Sequence, residues 1–184
     1  MMILPCAALL FVAACKEETK LNSPRDTSIP TLSRAFLSTA SVVKFVAFGG
    51  TLPDATTNKG YYLQLTDTAQ LVVASCQGIV TDINSSNASI TVTYKPKSIY
   101  SFVYTGVRNV AVQVSDTISS GSILGKIAAD GKISFTLIKN DEVLCPGDFG
   151  PGGFNNAMQS AIARHNALNP DTIAAACVVS SLPK

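Results

Sequence analysis

The sequence has no tryptophan, a single histidine and few charged side chains. Of its 184 residues, 14% are charged and 47% are hydrophobic, which is typical of a compact globular chain and not of a disordered one. The formal net charge is +2, and no cluster of Lys or Arg interleaved with aromatic residues is present, so the sequence does not indicate nucleic-acid binding. The length suits one domain with a proper core.

The single histidine, His165, restricts the chemistry that the chain can perform. A catalytic zinc ordinarily takes at least two His or Cys ligands with a carboxylate, and a nucleophilic Ser or Cys needs a base beside it. His165 belongs to the apolar stripe of a predicted helix, where a histidine usually has a structural role. No nucleophile elbow or phosphate-binding loop is present either. The sequence therefore predicts no catalytic residue, no metal ligand and no cofactor.

An uncharged apolar run occupies residues 3–14 and is too short to span a bilayer. It ends in Val12-Ala13-Ala14-Cys15, which resembles the bacterial lipobox, although the usual basic start is missing. The resemblance implies a lipoprotein signal peptide over residues 1–14 and a lipid on Cys15. We therefore expect the chain to be attached to a membrane.

The charged residues Lys16-Glu17-Glu18 follow the lipobox. They resemble the signal that sends lipoproteins of the Bacteroidetes group to the outer membrane. This resemblance implies a lipid-anchored protein of the outer membrane, on the cell surface or on the periplasmic face. Residues 15–40 are rich in Thr, Ser, Pro and charge and have no sustained periodicity, which predicts a flexible tether.

Five cysteines are present, but Cys6 would leave with the signal peptide and Cys15 would carry lipid. The remaining three, in an oxidising compartment, allow at most one internal disulfide. We favour Cys145 with Cys177, because this pair would fasten the C-terminal helical segment to the end of the β region. Cys76 with Cys145 is the alternative, and three buried free thiols are also compatible with the sequence.

Short β-type runs separated by turn residues fill the chain from residue 42 to residue 144, including runs at 42–48, 61–65 and 110–114. Asp130-Gly131 and Asn140-Asp141 are typical of tight hairpin turns. Tyr61 and Tyr62 are adjacent in one run, so one of the two rings should face solvent. The pattern predicts a mostly β domain over residues 41–146, folded as an antiparallel sandwich or small barrel.

The C-terminal region, residues 147–184, changes character. Residues 147–153 are too rich in Gly and Pro for regular structure and predict a loop. From Phe154 to Leu168 the apolar residues recur at helical spacing, which predicts a helix lying on the sheet. Asn169 and Pro170 predict a second short helix over about residues 170–178.

Residues 71–146, read in order, resemble the core of the M23 peptidase family, the LytM-type zinc endopeptidases that cut peptidoglycan crosslinks. Three stretches carry the resemblance. Residues 74–80 resemble the family's strand with Ala-x-x-Gly-x-Val, residues 112–127 resemble its Gly-Asp turn with a following Ile-Gly, and residues 131–137 occupy the place of its His-Leu-His-Phe strand. The resemblance implies an M23-type antiparallel β fold with a C-terminal helical extension.

The family's zinc ligands have no usable counterparts in this chain. By the resemblance, Gly60 and Gln64 stand for the first His and Asp, Gly106 for the middle His, and Lys132 and Ser134 for the His-x-His pair. Glycine has no side chain, a protonated lysine repels a dication, and Ser or Gln alone binds zinc weakly.

These residues lead to three hypotheses. The first is a non-catalytic binding module with a vestigial groove at Gly60, Gln64, Gly106, Lys132 and Ser134, which would hold a peptidoglycan peptide, a glycan or an envelope protein. The second is a peptidase that uses atypical ligands. The third is a structural envelope lipoprotein without a groove. The first and third differ in whether the groove residues are exposed together or covered by the Gly-rich loop.

Overall fold

The computed structural model describes residues 24–179 and 181–183. The predicted signal peptide, Cys15 and the first part of the predicted tether lie outside the described residues. The strands and helices are β1 Val42–Val46, β2 Tyr61–Leu65, β3 Leu71–Val73, β4 Gly78–Asn84, β5 Ser89–Thr93, β6 Tyr100–Thr105, β7 Val107–Arg108, β8 Thr117–Ile118, β9 Ile123–Ile127, β10 Lys132–Lys139, β11 Glu142–Leu144, a 3₁₀ helix Pro146–Phe149, α1 Gly152–Leu168 and β12 Ser181–Pro183.

The fold is mostly antiparallel β with one C-terminal helix, as predicted, and its sheets are open. The large sheet has the strand order β1-β2-β10-β6-β5-β4-β8, with β11 and β12 continuing from one end of β10. A small sheet has the order β3-β9-β7. Every strand pair within the two sheets is antiparallel. Strand β10 is central, because it pairs with β2 on one side and β6 on the other.

Alternation along β10 separates a core face from an open face of the large sheet. Ile133, Phe135 and Leu137 are buried, while Lys132 is exposed and Ser134 is half-buried. The same alternation in β2 buries the ring of Tyr61 and leaves Tyr62 half-buried on the open face. This agrees with the expectation that one of the two adjacent tyrosines faces solvent.

The helix α1 covers the core face beside β1. Its buried side chains are Phe154, Met158, Ala161, Ile162 and His165. The end of the helix also completes the outer edge of β1, since Arg164 Nε donates to Val42 O and Asn169 Nδ2 donates to Val43 O. An edge strand presents unpaired backbone groups, and these side chains satisfy two of them.

The predicted tether is wrong for its described part. Leu32 and Phe36 are fully buried in the core, and Leu37 is 5% exposed. Backbone bonds hold the segment as well, because Ser33 N donates to Ser75 O and Val73 N donates to Phe36 O. Burial of these side chains supplies the apolar contact that a polar tether lacks.

The predicted second helix is also wrong. Residues 170–178 contain no helix, and Cys177 forms a parallel bridge with Phe48, just beyond the end of β1. Phe48 N donates to Ala176 O and Val178 N donates to Phe48 O. Pairing with the backbone beyond β1 therefore replaces the local helical bonds that Asn169 and Pro170 suggested.

Two expectations within the β region need correction. Residues 110–114 form no strand, and the preceding Asn109 has a positive φ of 49°, which interrupts an extended chain. The turn at Asp130-Gly131 exists, with Gly131 at φ 72°, but it leads from β9 in the small sheet to β10 in the large sheet, so no hairpin forms there. The hairpin at Asn140-Asp141 is confirmed, because it joins β10 to β11.

Across the residues that the structure describes, no helix combines the length and the apolar character that crossing a membrane requires.

Candidate functional site

The open face of the large sheet carries three of the predicted groove residues, Gln64, Lys132 and Ser134. In the strand register, Lys132 of β10 lies opposite Gln64 of β2, and Gln64 lies opposite Lys44 of β1. One step along, Ser134 lies between Tyr62 of β2 and Thr105 of β6. Directly opposite residues project to the same face of a sheet. Gln64, Lys132 and Ser134 are therefore neighbours on one surface.

A cavity of about 350 Å³ opens on this surface. Its walls come from β2, β6, β10 and the turns at residues 86–88 and 128–130. The lining residues are Tyr62, Ser86, Asn87, Ala88, Thr105, Gly106, Ala128, Asp130, Lys132, Ile133 and Ser134. The predicted groove residues Gly106, Lys132 and Ser134 thus line it together, Gln64 lies beside it, and Gly60 does not take part.

Gly60 is buried, and the backbone of β10 passes directly over it. A Cβ added at Gly60 would meet Phe135 O and Thr136 Oγ1 well inside 3.0 Å, a separation below which real Cβ contacts essentially never fall. The predicted floor of the groove is wrong at this position. No side chain, and hence no ligand, fits there without moving the central strand.

Gly106, the predicted counterpart of the family's middle His, shows a similar restriction. Its φ is +90°, a left-handed value that glycine tolerates best, and a Cβ there would meet Lys132 O. Gly106 N and Val107 N both donate to Ala88 O, which draws the end of β6 onto the turn before β5. Glycine is needed here for the close approach of two backbones.

The charges at the site come from Lys132 and Asp130. The Lys132 ammonium lies 3.3 Å from Asp130 Oδ2, with both side chains about half exposed, so the pair is worth little to stability. Tyr62 is the aromatic neighbour. Burial raises the pKa of its hydroxyl, Lys132 lowers it and Asp130 raises it again, so the phenol is a neutral hydrogen-bond donor at pH 7. The cavity thus offers a cation, a phenol and the hydroxyls of Ser134 and Thr105.

The Gly-rich loop lies on the opposite side of the large sheet. Leu32 N donates to Phe149 O, and the ring of Phe149 packs edge-on against Tyr100, whose side chain is buried on the core face. Asn155 Nδ2 in α1 donates to Gly147 O and Gly150 O, which fixes the loop to the helix. None of these residues lines the cavity, so the loop does not cover the open face.

His165 is engaged in the structure of the C-terminal region. Its Nδ1 accepts a hydrogen bond from Phe45 N at 3.3 Å, and its Nε2 lies 2.8 Å from Asp171 O. The ring is fully buried. This pattern matches the structural role expected from its place on the helix stripe. Among the described residues, no three His, Cys, Asp or Glu side chains are grouped so that they could hold a metal ion.

The structure joins Cys145 and Cys177 by a disulfide and leaves Cys76 as a buried free thiol. Burial raises the pKa of the Cys76 thiol to about 12, so this thiol is protonated and unreactive at neutral pH. The hydroxyl of Tyr61 lies 3.8 Å from Cys145 Sγ and 3.5 Å from Cys177 Sγ, beneath the disulfide. The bond attaches the extended C-terminal segment to the end of β11.

No protein-family model matches the sequence, and no curated protein matches it by sequence. Solved structures do resemble it. Csd3 from Helicobacter pylori superimposes with a TM-score of 0.53 at 13% identity, over 75% of this chain and 40% of that chain. The catalytic domain of the prophage-encoded M23 protein EnpA from Enterococcus faecalis gives 0.47 at 16% identity, over 59% of this chain and 87% of that chain.

The fold is M23-peptidase-like. A putative peptidase M23 from Pseudomonas aeruginosa gives a TM-score of 0.45 at 16% identity, over 67% of this chain and 54% of that chain. At such identities the likeness concerns the fold alone, and this chain spans 40% of the length of Csd3. The fold predicted from residues 71–146 is confirmed.

The close backbone approach at Gly60 leads to a testable prediction. The substitution Gly60→Ala should lower the free energy of unfolding by about 1–3 kcal/mol, because the new methyl group must displace the backbone of β10. Gly152→Ala is the matched control, since the nearest atom that its Cβ would meet is Asn156 Nδ2 at 3.9 Å. Urea unfolding of both variants measures the difference. Equal stability of Gly60→Ala and the unsubstituted chain would contradict the contact.

Proposed function

We propose that this chain is a non-catalytic, lipid-anchored protein of the bacterial cell envelope, and that its open sheet face binds a carboxylate-bearing peptide of peptidoglycan. The observation that carries the proposal is the uncovered cavity that groups Lys132, Ser134 and Tyr62. A binding site is typically a concavity with a few convergent polar groups. The M23-like fold supplies the peptidoglycan context by analogy.

The residues at the zinc-site positions argue against peptidase activity. Gly60 and Gly106 stand in close backbone contacts that exclude a side chain, and Lys132 would bring a positive charge to a position that the resemblance assigns to a zinc ligand. A hydrolytic zinc needs three protein ligands and an open position for water. The same lysine is suited to a carboxylate ligand, because an ammonium and a carboxylate form a charge-assisted hydrogen bond.

The arrangement also favours binding over a purely structural role. Lys132 is exposed, and the Gly-rich loop that would have covered the groove packs on the other side of the large sheet. The ion pair between Lys132 and Asp130 is half exposed, so a ligand carboxylate can compete for the ammonium at little cost. None of the loop residues lines the cavity at Lys132, so the loop does not block a ligand there.

Binding is tested with the purified protein and soluble muropeptides that carry free carboxylates. Lys132→Gln should weaken the affinity about fivefold, which corresponds to about 1 kcal/mol for a half-exposed charge pair. Lys126→Gln is the control, because Lys126 is an exposed residue of β9 in the small sheet, and it should leave the affinity unchanged. Titration calorimetry at two salt concentrations measures both. Failure of the unsubstituted protein to bind, or equal binding by Lys132→Gln, would refute the proposal.

The lipid anchor has a separate test in a bacterial host fed a clickable palmitate analogue. Cys15→Ser should abolish labelling and release the protein from the membrane fraction, because no thiol remains at the lipobox. Cys6→Ser lies within the predicted signal peptide and should retain both the label and the membrane association. Persistent labelling of Cys15→Ser would show that Cys15 is not the lipidated residue.

A further inference from the structure

The cavity on the open face contains two opposite charges side by side. Lys132 and Asp130 both line it, and their ammonium and carboxylate groups lie 3.3 Å apart with both side chains about half exposed. In the part of the chain that the structure describes, Asp130 belongs to no other ion pair. A ligand that enters this cavity therefore meets a cation and an anion together.

The backbone fixes the positions of both charges. Lys132 is the first residue of β10, and Asp130 belongs to the turn before it. This turn is tied to the end of β2, because Leu65 N donates to Gly131 O. Asp130 Oδ1 accepts from Lys132 N at 3.2 Å, which leaves Oδ2 for the ammonium. The Asp130 carboxylate is therefore held at the cavity even when Oδ2 changes its partner, and a site fixed in advance avoids the cost of ordering it on binding.

A ligand that carries only a carboxylate leaves the charges of this cavity unbalanced. When such a carboxylate takes the Lys132 ammonium, the Asp130 carboxylate loses its partner but stays beside the ligand, because Lys132 N still holds its Oδ1. The two carboxylates then repel each other. A ligand that also carries an ammonium group removes this repulsion, since its ammonium can replace that of Lys132 at Asp130 Oδ2.

The uncharged polar groups of the cavity suit a ligand with both charges. Burial raises the pKa of the Tyr62 hydroxyl, Lys132 lowers it and Asp130 raises it, so both charges lie within electrostatic reach of this phenol. A hydroxyl donates to a carboxylate and accepts from an ammonium, and Ser134 and Thr105 add two more hydroxyls to the lining. The volume of about 350 Å³ lies at the small end of ligand sites, which favours a compact head group.

We propose that the open-face cavity selects a zwitterionic head, with an ammonium and a carboxylate on one carbon atom, and that the carboxylate pairs with Lys132 and the ammonium with Asp130. In a peptide, such a head occurs where a diamino dicarboxylic acid keeps one amino and one carboxyl group free. The inference rests on the binding role proposed above and narrows its ligand to peptides in which that amine is free. Acylation of the amine, as in an amide crosslink between two peptides, removes the head. Asp130 is the specificity-determining residue.

The test uses the purified protein and two synthetic peptides, N-acetyl-alanyl-glutamyl-diaminopimelate with a free side-chain amine and the same peptide with that amine acetylated. Both peptides carry the same free carboxylates. Titration calorimetry should show about fivefold tighter binding of the peptide with the free amine, because only its ammonium pairs with the half-exposed Asp130. Equal affinities would overturn the inference and leave the carboxylate binding proposed above standing. Binding of neither peptide would overturn both.

The substitution Asp130→Ser locates the selectivity, since a serine hydroxyl can still accept from the backbone N–H two residues on. It should abolish the preference for the free amine and raise the affinity for the acetylated peptide, because Lys132 then has no competing carboxylate. Asp67→Ser is the matched control and should change neither affinity. Asp67 is exposed, its Oδ1 accepts from Ala69 N two residues on, and it does not line the cavity. Persistence of the preference in Asp130→Ser would overturn the assignment.

Discussion

The aromatic cluster around Phe135 holds the parts of the domain together. The Phe135 ring centroid lies 5.0 Å from those of Phe36 and Tyr104 and 6.0 Å from that of Phe154. These contacts connect the N-terminal segment, β6 and α1 to the central strand. A buried aromatic cluster of this kind contributes both apolar area and specific ring geometry to stability. The alternation of β10 is then fixed, so Lys132 and Ser134 must face outward.

The edge of β1 is the second constraint. A free edge strand is prone to pair with other chains, and here α1 and the C-terminal segment occupy it. His165 accepts from Phe45 N, Asn169 donates to Val43 O, and the backbone around Cys177 pairs with Phe48. The C-terminal segment and α1 therefore cover the outer edge of β1.

Local patterns predicted the elements whose stability is local. Period-two alternation located β2 and β10, the Asn140-Asp141 turn located the last hairpin, and the apolar spacing from Phe154 located α1. The conformations of the N-terminal segment and of residues 170–178 depend instead on contacts with residues far away in the sequence. Leu32 and Phe36 lie in a polar stretch and are ordered by a core that forms far away in sequence, and residues 170–178 exchange a weak local helix for edge pairing and a disulfide.

At the candidate site, too, some features follow from local sequence patterns and others depend on long-range contacts. The positions of Gln64, Lys132 and Ser134 follow from strand alternation once the M23 resemblance is seen. The burial of Gly60 could not be predicted in this way, because a sequence does not reveal how closely another backbone passes over a glycine. Gly60 and Gly106 are both needed for a close approach of two backbones.

The zinc content of the purified protein tests the absence of a zinc site most directly. Elemental analysis follows dialysis first against a slight zinc excess and then against zinc-free buffer. We expect no zinc above the level of the buffer, because Gly60, Gly106 and Lys132 cannot serve as ligands. One zinc retained per chain would contradict this expectation and would make peptidoglycan hydrolysis the activity to assay.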